Sequence, residues 1–377
     1  MRKAQILAPG GDEDAVLAAI LAGADAVYLG LPRFNARLKA VNITEKSLPF
    51  LVRLAHLRGV KVYVTVNTLI TTEEIGEFLT LIRVCLQAEV DALIIQDYGA
   101  LYLLKKLYPE AHLHASTQMT CHNSWQMELL KRFGAHHVNL CREMSLAEIR
   151  ELTEAADRMG TKIEIFVHGA YCISFSGQCL MSSLIGGRSA NRGMCAQPCR
   201  KAYFLRPQGG KAYRLSLKDN CAFKDIASLL EAGVSSFKIE GRMKNFYYVY
   251  QVVSAFKEQL ERIYAGSPPG LDDRRLHTVF NRGFSAGYLR NMISRKMFID
   301  SPLDNSLVLV GEVKRYVAER GLLHFTKKVD LPKGAKINVY TRDNSFICTA
   351  SVEQRESASV FRIRLEHLLR AKIMKGH

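Results

Sequence analysis

The sequence has no apolar run approaching the roughly 18 residues needed to span a membrane. After Met1-Arg2-Lys3 come Gln5-Ile6-Leu7-Ala8 and then Pro9-Gly10-Gly11, an apolar stretch too short for the core of a secretion signal. A cytoplasmic location is therefore expected. There is no Gly-x-Ser-x-Gly elbow, no His-Glu-x-x-His helix, and no Walker or Gly-x-Gly-x-x-Gly loop. The usual signatures of α/β-hydrolases, zinc proteases and nucleotide-binding folds are thus missing. No 20–50-residue repeat and no low-complexity tract occurs, which argues against a solenoid or a disordered chain. Acidic residues are few, 36 against 52 basic ones, and the net charge of +16 favours polyanionic partners.

What is present is a chain of 377 residues with 48% apolar composition, enough for one large domain and a small one. Short β-rich runs lie at 5–8, 26–29, 61–66, 92–96, 112–115, 137–140, 162–167 and 236–239. Between most of them lie amphipathic stretches, such as Ile75, Leu79, Ile82 and Leu86, with helical spacing. This alternation predicts βαβ units and a parallel sheet. Eight units suit a closed (β/α)₈ TIM-barrel-like domain, with an open doubly wound sheet as the alternative. Gly23, Gly59, Gly134 and Gly233 each fall after a helix and before a strand, as helix-ending glycines do. Polar groups follow the strands: Asn67-Thr68, Gln96-Asp97, Ser116-Thr117-Gln118, Arg142-Glu143, His168-Gly169 and Glu240-Gly241-Arg242. In a barrel they share the C-terminal rim, where active sites sit.

Gly266-Ser267-Pro268-Pro269-Gly270 reads as a linker. The expected division is a barrel domain over 1–265, with a cysteine-rich basic insertion at about 168–218. A connecting segment and a small basic antiparallel β-domain would fill 271–377. Its strands are expected at 307–310, 322–325, 336–339, 346–349 and 360–364.

The long interval between Val167 and Ser236 holds five of the nine cysteines, four of them within the insertion. Cys172, Cys179, Cys195 and Cys199 have the spacing C-x₆-C-x₁₅-C-x₃-C. Four thiolates so close in sequence can close around one metal centre. Zinc usually takes tighter pairs at both ends, whereas iron–sulfur clusters tolerate more varied spacing. An iron–sulfur cluster is the favoured reading, and unligated structural cysteines are the alternative. From Gly186 to Lys218 there are eight Lys or Arg and no Asp or Glu. Arg188, Arg192, Arg200, Lys201 and Arg206 are candidate phosphate ligands, and Tyr203, Phe204 and Tyr213 could stack on unpaired bases. A solvated charged loop is the alternative.

The segments Phe166-Val167-His168-Gly169-Ala170, Ser176-Gly177-Gln178-Cys179, Gly187-Arg188-Ser189-Ala190-Asn191-Arg192-Gly193 and Phe237-Lys238-Ile239-Glu240-Gly241-Arg242 resemble the collagenase-like peptidase family U-32. Leu7-Ala8-Pro9-Gly10 and Gly23-Ala24-Asp25-Ala26-Val27-Tyr28-Leu29-Gly30 match its opening signature. Some members are named as proteases. Others look like enzymes that add a 5-hydroxyl to an RNA pyrimidine, and 187–193 is closest to the branch acting on a cytidine of large-subunit rRNA. Another branch acts on a tRNA wobble uridine. The resemblance implies a four-cysteine iron–sulfur cluster, of the 4Fe–4S type, on Cys172, Cys179, Cys195 and Cys199. It also implies prephenate as a co-substrate, RNA as the partner, and an accessory redox or family protein. His168, Glu240 and Arg242 are the expected catalytic residues handling substrate or prephenate. Arg242 suits a carboxylate because its planar fork binds bidentately. A peptidase and a non-catalytic RNA-binding factor remain the rival readings.

Overall fold

The computed structural model describes residues 3–204, 212–299, 311–326, 328–340 and 346–365. The chain divides into two compact units, Met1–Ser306 and Leu307–His377.

In the first unit, β1 (Gln5–Gly10), β2 (Ala26–Gly30), β3 (Lys61–Val66), β4 (Ala92–Ile95), β5 (Leu113–Ala115), β6 (Ala135–Asn139) and β7 (Lys162–Ala170) pair in parallel in that order. A short strand β8 (Asp219–Cys221) follows, and then β9 (Ser236–Ile239). β9 pairs in parallel with both β7 and β1, with Ser236 opposite Glu164 and Gln5, and this closes an eight-stranded barrel. Every barrel strand matches an expected run. The outside carries α1 (Glu13–Leu21), α2 (Leu48–His56), α3 (Ile75–Gln87), α4 (Tyr98–Leu107), α5 (Ser124–Arg132) and α6 (Leu146–Met159). After β7 come α7 (Met181–Gly186), α8 (Ile226–Glu231) and α9 (Phe246–Tyr264).

The side chains of Asp12, Asp97, Asn123, Ser145 and Asn245 each cap a helix by accepting the backbone N–H three residues on. All five lie in the segments that lead from a strand to the helix after it, so the caps also fix the loops of the barrel mouth. Ile149, Leu152, Ala155 and Ala156 of α6 recur at helical spacing and are buried against the wall.

The barrel interior is only partly apolar. Leu7, Ala26, Tyr28, Tyr63, Ala92 and Ile94 form one cluster there. Beside it Glu164 accepts from Lys238 at 2.9 Å, Asn139 at 2.9 Å and Ser236 at 3.0 Å. The Lys238 ammonium stands 4.5 Å from the Tyr28 ring centre. His114 stacks edge-on between Tyr63 and His137. Burial, with nearby positive charge, pushes the His114 imidazole well down and His137 to about 4.

Two features were not foreseen. β8 runs antiparallel to the end of β7, with His168 opposite Cys221, and carries β10 (Phe284–Ser285) on its other edge. Asp-Asn-Cys has no strand-like period, and only its pairing makes it a strand. The segment beyond the linker signal, including α10 (Arg274–His277), also belongs with the barrel unit. Leu276, Val279 and Leu289 enter the barrel core, and Met297 packs with Tyr171 and Leu217.

The second unit is an antiparallel sheet of β11 (Val313–Val317), β12 (Leu322–Phe325), β13 (Lys336–Tyr340), β14 (Phe346–Ser357) and β15 (Val360–Leu365), in the order β11-β12-β15-β14-β13. Leu323, Phe325, Val352, Phe361 and Ile363 form its core. The strand expected at 307–310 lies outside the described residues. β11 was not foreseen, because Lys314-Arg315 interrupts its apolar pattern. Among the described residues no helix is long and apolar enough to cross a membrane.

Candidate active site at the barrel mouth

The loop that follows β7 lies over the mouth and is fastened by groups of the barrel. The Ser176 hydroxyl donates to Glu143 Oε2 at 2.6 Å and its N–H to Oε1 at 2.8 Å, while the Arg142 N–H donates to Ser176 Oγ. Ser176 is fully buried at φ +42°, a conformation that non-glycine residues hold only when the surroundings enforce it. The Gln178 amide donates to the Gln118 carbonyl, and the Gln118 amide to Asn67 O and Gln96 Oε1. Further along, Arg192 makes a two-pronged pair with Glu74 and donates to Leu69 O. The Arg192 guanidinium and the Thr71 N–H hold the Glu74 carboxyl down at about 2. Arg200 donates to Ser216 Oγ and to the carbonyls of Leu217 and Tyr171. These contacts tie together the two chain segments that enter and leave the loop.

Cys172, Cys179, Cys195 and Cys199 are free and partly exposed. Burial raises the Cys199 thiol and Arg200 opposes it; Cys172, Cys195 and Cys179 then each raise it further. The other three sulfurs thus lie within electrostatic reach of Cys199. Among the described residues no three His, Cys, Asp or Glu side chains close tightly enough to hold a single metal ion. Four thiols with no carboxylate or imidazole among them are a donor set that both a structural zinc and an iron–sulfur cluster accept. Cys85, Cys121 and Cys141 are buried, and burial pushes their thiols up to about 12. Cys221 stands apart on β8, with its thiol likewise at about 12.

Below the loop, Arg242 is 5% exposed. Its Nη1 donates to Thr65 Oγ1 at 2.8 Å and Asn35 Oδ1 at 3.3 Å, and the guanidinium lies over the Tyr28 ring. A Cβ on Gly30 would come within 2.5 Å of that Nη1, so the end of β2 must be bare for Arg242 to lie there. Burial lowers its pKa to about 10, which still leaves it protonated at neutral pH. Nε and Nη2 have no acceptor, and the group no carboxylate partner, among the described residues. Beside it Arg37 pairs with Glu240 at 3.3 Å. Burial raises the Glu240 carboxyl, but Arg37, Lys244 and Arg142 outweigh it and keep it ionised. A Cβ on Gly193 would collide with the Asn35 carbonyl, so the thiol loop lies directly against this floor. A desolvated guanidinium with free donors is a place for a carboxylate or phosphate.

The structure brings Glu240 and Arg242 to one site with the thiol loop. It does not bring His168 there. His168 is 2% exposed and faces the rings of Tyr248, Phe256 and Phe284, in the layer between β7 and α9. Burial, with His277 and Lys244 nearby, holds its imidazole neutral with a pKa of about 3, and its Nδ1 has no partner. Of the expected phosphate ligands, Arg188 and Lys201 are exposed and make no ion pair among the described residues. Arg192 is committed to Glu74 and Leu69 of the barrel and Arg200 to partners within the loop, and Arg206 lies outside the described residues. Arg37, Asn35 and Thr65 were not foreseen, whereas Glu143 stood on the expected rim and Ser176 in the family motif. Asn35-Ala36-Arg37 follows β2 much as Asn67-Thr68 follows β3, and that parallel was the available signal.

Fold and site together define a (β/α)₈ barrel whose mouth joins a buried guanidinium to a four-thiol loop. Residues 11–297 match Peptidase family U32, and the chain belongs to that family. It is 41% identical over 264 residues to the 23S rRNA 5-hydroxycytidine C2501 synthase of Escherichia coli, covering 69% of this chain and 39% of that protein. It is 36% identical over 304 residues to a collagenase of Porphyromonas gingivalis, covering 75% and 73%. With the tRNA hydroxylation protein P1 of Bacillus subtilis it shares 34% over 357 residues, covering 90% and 84%. The chain thus spans about two fifths of the Escherichia coli rRNA relative and most of the other two.

Proposed function

We propose that this chain is an RNA-modifying enzyme that installs a 5-hydroxyl on a pyrimidine, a cytidine of 23S rRNA in the first instance, and works in the cytoplasm. The observation that carries the reading is the meeting of the four-thiol loop with the guanidinium-lined floor. Peptide hydrolysis needs neither, whereas a ring hydroxylation is an oxidation that needs electron transfer and an oxygen source. The names of the rRNA and tRNA relatives support the same choice. Cys172, Cys179, Cys195 and Cys199 would hold an iron–sulfur cluster, of the 4Fe–4S type, which supplies one-electron chemistry when bound.

The chain's own residues would do the rest. Arg242 would bind a carboxylate of prephenate through its free Nε and Nη2. Glu240, kept ionised and oriented by Arg37, would accept a hydrogen bond from the base or from prephenate. Arg188 and Lys201 would hold phosphates, so binding would weaken steeply with salt. An accessory redox protein would exchange electrons with the loop.

The names of the family and of the Porphyromonas gingivalis relative favour a second reading, a peptidase. Mass spectrometry of rRNA and tRNA nucleosides from cells with and without the gene decides between them. Loss of one 5-hydroxycytidine, restored by the wild-type gene, is the expected result. Loss of a tRNA 5-hydroxyuridine instead would move the target. Unaltered nucleosides, with collagen cleaved by cluster-free protein, would decide for the peptidase.

A further inference from the structure

The thiol loop carries an apolar spur that the site described above does not use. Leu180 is 66% exposed, Leu184 86% and Ile185 68%, three large aliphatic side chains within six residues. The spur is held firmly from beneath. Ser182, on the inner face of α7, is buried, and its Oγ accepts from the Ala196 N–H at 3.1 Å. Gly187 and Arg188 close the helix by donating their N–H groups to Ser183 O and Ser182 O. The aliphatic groups are thus presented on a fastened turn.

Clustered exposed apolar groups mark a contact surface, and here the surroundings indicate what it meets. No Asp or Glu occurs from Gly186 to Lys218, and Arg188, Lys201 and Arg214 of the same loop are exposed. An apolar tip on a segment whose own charges are all cations matches the apolar interior and anionic exterior of a stacked RNA. Aliphatic side chains make poor stacking platforms, but Leu and Ile are among the groups that enter between base steps and unstack them. Leu180 directly follows Cys179, so a step opened by the spur would lie beside the thiols. A base acted on at its ring must leave its stack, and something must fill the space it leaves.

We infer that Leu180, Leu184 and Ile185 form a wedge that enters a stack of RNA bases and holds the target nucleotide out beside the four thiols. This rests on the RNA reading above.

The test uses the full chain with Leu184→Ser and Ile185→Ser combined, both at exposed positions. One probe is an RNA hairpin carrying 2-aminopurine in its stem, and the other is the same sequence without its complement. Wild-type protein should raise the hairpin's 2-aminopurine fluorescence. The double variant should bind both RNAs within about threefold of wild type yet leave that fluorescence low, because phosphate contacts persist while unstacking is lost. In a gene-deleted strain it should restore about a tenth or less of the 5-hydroxypyrimidine. Leu184→Met with Ile185→Met should recover both readouts. Wild-type fluorescence and modification in the serine variant would overturn the wedge. So would an equal loss of affinity for both RNAs, or unchanged RNA behaviour with loss of a bound protein. Wild-type protein that neither binds nor alters RNA would overturn the RNA reading itself.

Discussion

The barrel wall and the loop after β7 use the same residue types in opposite ways. In the barrel, charge is buried and matched: Glu164 and Lys238 pair at 2.9 Å, each about 5% exposed or less. In the loop, charge of one sign stands almost without acids, and the carboxylates that fasten it, Glu74 and Glu143, come from the barrel. Cysteines divide likewise. Cys85, Cys121 and Cys141 are buried fillers of the wall, while the four of the loop are partly exposed and near one another. The wall spends its polar groups on a fixed geometry. The loop leaves thiols and cations open and depends on the wall for its shape.

Five changes would break or sharpen that contrast. The largest effect is expected at the thiols. Replacing any one of Cys172, Cys179, Cys195 or Cys199 by Ala should abolish the broad visible absorption of anaerobically purified protein, because a cluster lacking one thiolate is labile. Next comes the buried pair. Lys238→Ala leaves Glu164 charged and unpaired in the barrel and should cost about 3–5 kcal/mol in urea unfolding. Arg192→Ala, which breaks a partly exposed pair, should cost about 1 kcal/mol or less by the same measurement, yet speed loss of the proposed cluster.

Acid should act on the wall through its histidines. His168 is held neutral down to about 3 and His137 to about 4, against an ordinary value of 6.5. Between those values and 6.5 the unfolded chain binds more protons than the folded one. The stability from neutral burial is therefore complete above pH 6.5 and is lost as pH falls toward 4 and then 3, by at most about 1.4 kcal/mol per pH unit for each imidazole. His168→Phe should flatten that slope in denaturation curves taken from pH 7 to 4. The smallest change is expected from Arg188→Glu with Lys201→Glu. It should reduce RNA affinity and the steepness of its salt dependence, with stability within about 0.5 kcal/mol of wild type.

The barrel was legible because period, length and turn glycines all point to the same eight strands, and burial on both faces enforces them. The small strands β8 and β11 were not, since their sequences carry no period and only pairing specifies them. The four cysteines were legible as a group from spacing. The roles of single charged residues were not. Arg192 and Arg200 read like Arg188 in sequence, yet Glu74 and the Tyr171 and Leu217 carbonyls take up their donors. His168 stands at a strand end as Arg242 nearly does, but a turn of the backbone sends one into the aromatic layer and the other to the mouth. Such differences arise from contacts between residues distant in sequence, such as Arg37 with Glu240, which no local pattern encodes.

The most direct test of the account compares nucleosides from a gene-deleted strain carrying wild-type, Cys195→Ala or Cys85→Ala protein at equal levels. Wild type and Cys85→Ala should restore the missing 5-hydroxypyrimidine, and Cys195→Ala should not. Full restoration by Cys195→Ala would contradict the account, because the loop thiols would then serve no chemistry on RNA.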